Sequence, residues 1–161
     1  MFSFPTRISS LSKDEMARIR IDLPEQFDFS TDIAVRFGDL NAGNHLAHEN
    51  VLRLASEARL LFIKNLGYED LTVGGYGYVV CDAAIVYKAQ AFYGQVLNIE
   101  IAVRDFTRRG CEFIHRATDK HTGTEIARVK IGIVFFDART QKSVDVPPQF
   151  RALFPNSKSA E

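Results

Sequence analysis

Residues 37–66 read FGDLNAGNHLAHENVLRLASEARLLFIKNL, and the rest of the chain is arranged around this stretch. A strand-like run ends at Phe37. The loop 38–47 that follows carries Asp39, Asn41, Asn44 and His45 and leads to His48. From about His48 to Asn65 the apolar residues then recur with helical spacing. Val51, Leu54, Ala55, Ala58, Leu61 and Phe62 make one face, and Leu52, Ile63 and Leu66 widen it. That face is broader than the stripe of an ordinary surface helix, so the helix should be largely enclosed. The polar remainder is a narrow stripe of Asn50, Arg53, Glu57 and Lys64, and Gly67 supplies the C-terminal stop.

Outward from this stretch the chain reads as strand. Upstream, Thr31 to Phe37 alternates Ile33, Val35 and Phe37 against Ala34 and Arg36. Downstream come four long runs, at 78–90, 96–106, 111–119 and 124–137, separated by AFYG, TRRG and KHTG. Connections this short force antiparallel neighbours. One apolar helix followed by a meander of strands gives helix-on-sheet α+β packing. Residues 1–30 read as an N-terminal extension with a short helix around 12–19, residues 31–140 as the domain, and the Pro-broken residues 141–161 as a tail.

The composition is that of a globular domain. The chain has 161 residues, 46% of them apolar and 25% charged, enough for a sizeable core. Twenty Lys and Arg balance twenty Asp and Glu, so there is no overall electrostatic footprint for nucleic acid or an anionic membrane. No run approaches membrane-spanning length, and the N-terminus lacks a long apolar h-region, which leads us to expect a cytoplasmic protein. Cys81 and Cys111 lie in strand-like runs and do not make a secreted disulfide framework.

The run RFGDLNAGNHLAHENVLRLASEAR, followed by YKAQAFYGQVLNIEIAV, resembles the hotdog-fold acyl-CoA thioesterases, and in particular the 4-hydroxybenzoyl-CoA thioesterase type. That type places an aromatic before Asp-x-Asp-x-x-Gly-His-Val-Asn-Asn and a glutamate near Ala-Arg on the helix. The resemblance covers residues 31–137. It implies a long central helix wrapped by a curved antiparallel sheet of about five strands. It also implies hydrolysis of an acyl-CoA to the free acid and CoA, no cofactor beyond the CoA of the substrate, and self-association as a homodimer or homotetramer. Asp39, His45 and Glu57 match the pattern. The family's catalytic carboxylate falls on Asn41, whose amide can neither take up a proton nor form an acyl anhydride. Other hotdog thioesterases pair a loop Asn with a helix carboxylate nine residues after a His, a layout that Asn41, His48 and Glu57 reproduce. The two alignments point to different histidines.

Thioester hydrolysis needs a polarised carbonyl and an aimed water. The free amides at the helix start, around His48 to Val51, would meet the developing oxyanion, and each such donor is worth ~3 kcal/mol. Asn41 would hold water or carbonyl, and Glu57 or Asp39 would act as general base, worth ~10²- to 10⁴-fold. Each residue also has a structural reading. Asp39 and Asn41 suit turns, Glu57 lies four residues from Arg53 as an ion-pair partner, and His45 and His48 suit loop ordering and the cap region. Arg108, Arg109, Lys88 and Lys130 are the cations available for CoA phosphates. No carboxylate or cysteine joins His45 and His48 in a metal ligand set. A non-catalytic acyl-CoA binding module and an enoyl-CoA hydratase or dehydratase would use the same fold.

Overall fold

The computed structural model describes residues 19–155 and 157; the helix expected around 12–19 lies outside them but for its last position. Strand β1 (Phe29–Ala34) leads through a single 3-10 turn at Phe37–Asp39 to helix α1 (His48–Asn65). Then come β2 (Gly77–Tyr87), β3 (Val96–Arg104), β4 (Gly110–Asp119) and β5 (Glu125–Asp137). A two-residue β6 (Lys142–Ser143) and a short helix α2 (Pro148–Arg151) close the chain. All pairings are antiparallel in the order β1-β3-β4-β5-β2, with β6 added to β5. This is the hotdog fold that the sequence implied.

Alternation along the strands decides which face holds the helix. Ile99, Ile101 and Val103 of β3, Phe113 and His115 of β4, and Val129, Ile131 and Ile133 of β5 are all buried. They point at the inner side of α1, where Leu54, Ala55, Ala58 and Phe62 are nearly inaccessible. The opposite face is charged and paired across strands: Arg116 reaches Glu100 at 2.6 Å and Lys130 reaches Glu112 at 2.7 Å. The segment before β1 lies across that outer face. Arg128 Nη1 donates to Ile21 O at 2.9 Å, Arg116 covers the Phe27 ring at 4.8 Å, and Arg104 Nη2 donates to Gln26 O at 2.6 Å.

Two boundaries differ from the sequence expectation. Strand β1 starts at Phe29, inside the expected extension, because its backbone pairs with β3 from Phe29↔Ile101 onward. The expected loose tail is part of the core. Phe150 is fully buried, its ring centroid 5.5 Å from that of Phe135, 6.2 Å from Phe106 and 5.1 Å from Phe154. Burying two large aromatics offsets the ordering of a Pro-broken segment that has little helical propensity of its own.

The sheet has one conspicuous edge. β2 pairs only with β5 among the described residues, and its pairing shifts register between Val80 and Asp82. Val79 and Val80 are about half exposed, at 46% and 51%. Both cysteines are free: Cys81 is exposed on this edge and Cys111 is buried, its thiol pushed up by burial.

Candidate active site

The loop is built to deliver the start of α1. Asp39 ends the 3-10 turn, and its carbonyl accepts from Ala47 N at 2.9 Å and from Asn50 Nδ2 at 3.0 Å. Asn50 therefore leaves the expected polar stripe and is buried. The Asp39 carboxylate, buried as well, accepts from Arg36 N at 2.8 Å and Arg36 Nε at 3.3 Å. Arg36 reaches on to Glu57 Oε2 at 3.1 Å, so one guanidinium holds both carboxylates. Its pKa is raised, chiefly by the bond to Asp39. This cluster sits on the flank of α1 nearest β1.

Asn41 and His45 form a second group. Asn41 Oδ1 accepts from Gly43 N at 2.8 Å, and its amide nitrogen lies 3.4 Å from His45 Nδ1. Asn41 N donates to His45 O at 2.9 Å, which closes the loop, and Asn44 takes the left-handed φ of 58° that the tight turn demands.

The helix start itself carries no side-chain cap. Ala47 is the N-cap residue and offers no side-chain acceptor; Asn50 N and Val51 N donate to its carbonyl at 3.0 and 3.3 Å, so of the amides expected to be free only those of His48 and Glu49 lack a partner among the described residues. His48 Nδ1 lies 3.1 Å from Glu49 Oε2. A carboxylate only accepts, so a hydrogen bond across this largely exposed contact requires the proton on Nδ1. Tyr87 Oη donates to His48 O at 3.0 Å, tying this turn to the end of β2. The tyrosine pKa is raised by burial and by the charge of Glu49.

The five expected site residues thus divide among three places. Asp39 and Glu57 share Arg36, Asn41 and His45 touch in the loop, and His48 stands at the exposed helix start. No hydrogen bond or ion pair among the described residues joins Asn41 to Glu57, which lies two and a half turns, roughly 13 Å, along the helix from His48. Glu49 and Tyr87 are the neighbours that sequence reasoning missed. Glu49 adjoins His48 in sequence, whereas Tyr87 is brought in only by the fold. Of the cations considered for phosphates, Arg108 and Arg109 pair with Asp145 and Lys130 pairs with Glu112.

Beneath the helix start lies a void of about 10 Å³, lined by Leu46, Val51 and Ala55 and by His115 and Val129 of the sheet. It has room for about one water and not for an acyl chain. His115, 1% exposed, has Nδ1 3.2 Å from Val129 O and its Nε2 unpartnered; burial lowers its pKa from 6.5 to about 4.

A curved sheet around one helix, with an uncapped helix start beside a polar Asp and His loop, is the arrangement of a thioesterase-like protein. The model of the thioesterase-like superfamily matches residues 35–154, and the chain belongs to that family. No curated protein matches it. Among solved structures it is similar to a 1,4-dihydroxy-2-naphthoyl-CoA thioesterase from Synechocystis, at 14% identity over 80% of this chain and 96% of the other, with a TM-score of 0.71. It is also similar to a DHNA-CoA thioesterase from Staphylococcus aureus, at 20% identity over 78% of this chain and 87% of the other, with a TM-score of 0.69.

Proposed function

We propose that the protein is an acyl-CoA thioesterase whose reaction is centred on the start of α1. The observation that carries this reading is the uncapped first turn beside the His48–Glu49 pair. The thioester carbonyl would accept from the free amides there, so that negative charge developing on its oxygen meets fixed partial positive charge. Water would attack the carbonyl carbon, giving its proton to His48 Nε2 while Glu49 orients the ring through Nδ1. Collapse of the tetrahedral intermediate breaks the C–S bond, and the proton passes from His48 to the departing CoA thiolate. Asn41 and His45 would shape the loop over the carbonyl. Asp39, Arg36 and Glu57 would hold that loop against the helix.

Thiol release from short, medium and long acyl-CoAs tests the assignment. His48→Gln should lower kcat by ~10²- to 10⁴-fold. Glu57→Gln should cost far less, and the reverse ranking would return the base to Glu57. Wild type that releases no thiol from any acyl-CoA, yet binds one, would favour the second reading, a binding module. That reading draws support from Asn41, whose carbonyl is taken by Gly43 N.

Self-association through the β2 edge completes the proposal. The half-exposed Val79 and Val80 and the free backbone of an edge strand suit pairing with a second copy. This would set the partner's β2 beside Tyr87 and His48. No helix of the described residues is long and apolar enough to cross a membrane.

A further inference from the structure

Arg59 is the one charged residue of α1 that is buried, at 8% exposure. Its Nε and Nη1 are inaccessible and have no hydrogen-bond partner among the described residues. Its guanidinium carbon lies 5.6 Å from the centre of the Tyr78 ring and 5.9 Å from that of Phe113, so two π faces meet its enclosed side and no carboxylate among the described residues pairs with it. An arginine cannot shed its proton to escape burial, as a lysine or histidine would. Ring contacts answer only part of the cost of burying a cation. The carboxylates within the fold are committed elsewhere: Asp39 and Glu57 to Arg36, and Glu112 to Lys130.

The position of this unmet charge is informative. Glu57 faces β1 through Arg36, and Arg59, two residues and about 200° further round the helix, faces β2 through Tyr78. Leu52 and Ser56 share the Arg59 stripe and are only half buried. Opposite them on β2, Ile85 and Tyr87 are half buried too. The Tyr87–His48 bond and the Tyr78–Arg59 ring contact tie the helix to β2, and on the flank between them lie these half-buried, mostly apolar side chains. His48 and Arg59 are eleven residues apart, about 16 Å of helix, from which the backward lean of the arginine side chain subtracts several ångströms.

We propose that this flank receives the acyl group and that Arg59 selects acyl groups carrying a carboxylate at the far end. The inference rests on the thioesterase reading for the position of the thioester at the helix start. With the carbonyl held there, a chain of roughly eight carbons brings a terminal carboxylate to the guanidinium. A methyl terminus leaves the buried cation unanswered, which is the condition under which a polar site discriminates most strongly.

The test compares octanoyl-CoA with octanedioyl-CoA, equal in length and different in terminus. Wild type should show a kcat/KM about 100-fold higher for the dioyl ester. Arg59→Met should lose that preference by lowering the dioyl rate, and Arg59→Lys, which keeps the charge, should retain part of it. Equal rates for wild type on the two esters, or a preference that survives in folded Arg59→Met, would overturn the proposal. So would a change in sedimentation of Arg59→Met with the preference intact, because a second copy would then be supplying the anion. If wild type hydrolyses neither ester, the thioesterase reading fails by itself, and calorimetric titration with free octanedioate decides on Arg59. Binding weakened at least about tenfold in Arg59→Met supports the site, and equal or absent binding in both proteins overturns it.

Discussion

Single residues near the loop act through what they hold in place. Asp39 uses its carbonyl to anchor the helix start and its carboxylate to fix Arg36, which in turn holds Glu57. Asn50→Ala removes a buried donor from that carbonyl and should cost about 1 kcal/mol in urea unfolding. A sharper case is Gly110, at the turn into β4, where a Cβ would lie 2.0 Å from the carbonyl oxygen of Ile133 on the neighbouring strand. Backbone cannot move aside as a side chain would. Gly110→Ala should therefore lower stability by ~1–3 kcal/mol with no change in the residues of the helix start. Arg59 was illegible in the sequence for a related reason. Read alone, an arginine on a helix counts as solvated, and only the fold shows two aromatic rings closing over it.

Among whole elements, periodicity carried most of the reading. Helix α1 falls at His48–Asn65 as its apolar spacing predicts, and the four long strands fall within a few residues of their expected ends. Their signal is local, because alternation and helical spacing report directly on which face is buried. What failed was non-local. Phe150 and Phe154 sit in a polar, Pro-broken segment, and their burial depends on Phe106 and Phe135 lying opposite. The candidate residues divide in the same way: Asn41 and His45, close in sequence, touch within the loop, whereas Arg36 bridging Asp39 to Glu57 spans 21 residues and was not readable.

The inner face of β4 also sets a pH dependence. His115 is neutral in the fold, with a pKa lowered by burial to about 4 from 6.5. The unfolded chain binds a proton between those values and the folded chain does not, so stability falls as pH drops from about 6.5 to about 4. The loss should reach roughly 3 kcal/mol, and His115→Leu should flatten the urea midpoint across that window. The aspartates held low by their hydrogen bonds, Asp119 by Thr122 and Asp137 by Arg139, lose their contribution only at more acid pH.

For the whole molecule, the β2 edge is the decisive feature. An eleven-residue strand with half-exposed valines and one backbone side unpaired among the described residues is one that proteins cover. Sedimentation should give a dimer, and Val80→Lys, which places a charge at that edge, should shift it toward monomer and lower thiol release in parallel. A stable wild-type monomer would count against the shared edge.

The segment around Ile21–Phe27 has a consequence for the opposite side of the sheet. Arg104, Arg116 and Arg128, one from each central strand, are engaged with this segment as a row of clasps. That surface is ridged and already occupied, so a second sheet cannot lie flat on it without unfastening all three. The self-association proposed above would thereby be steered sideways, along the rim, and away from back-to-back stacking.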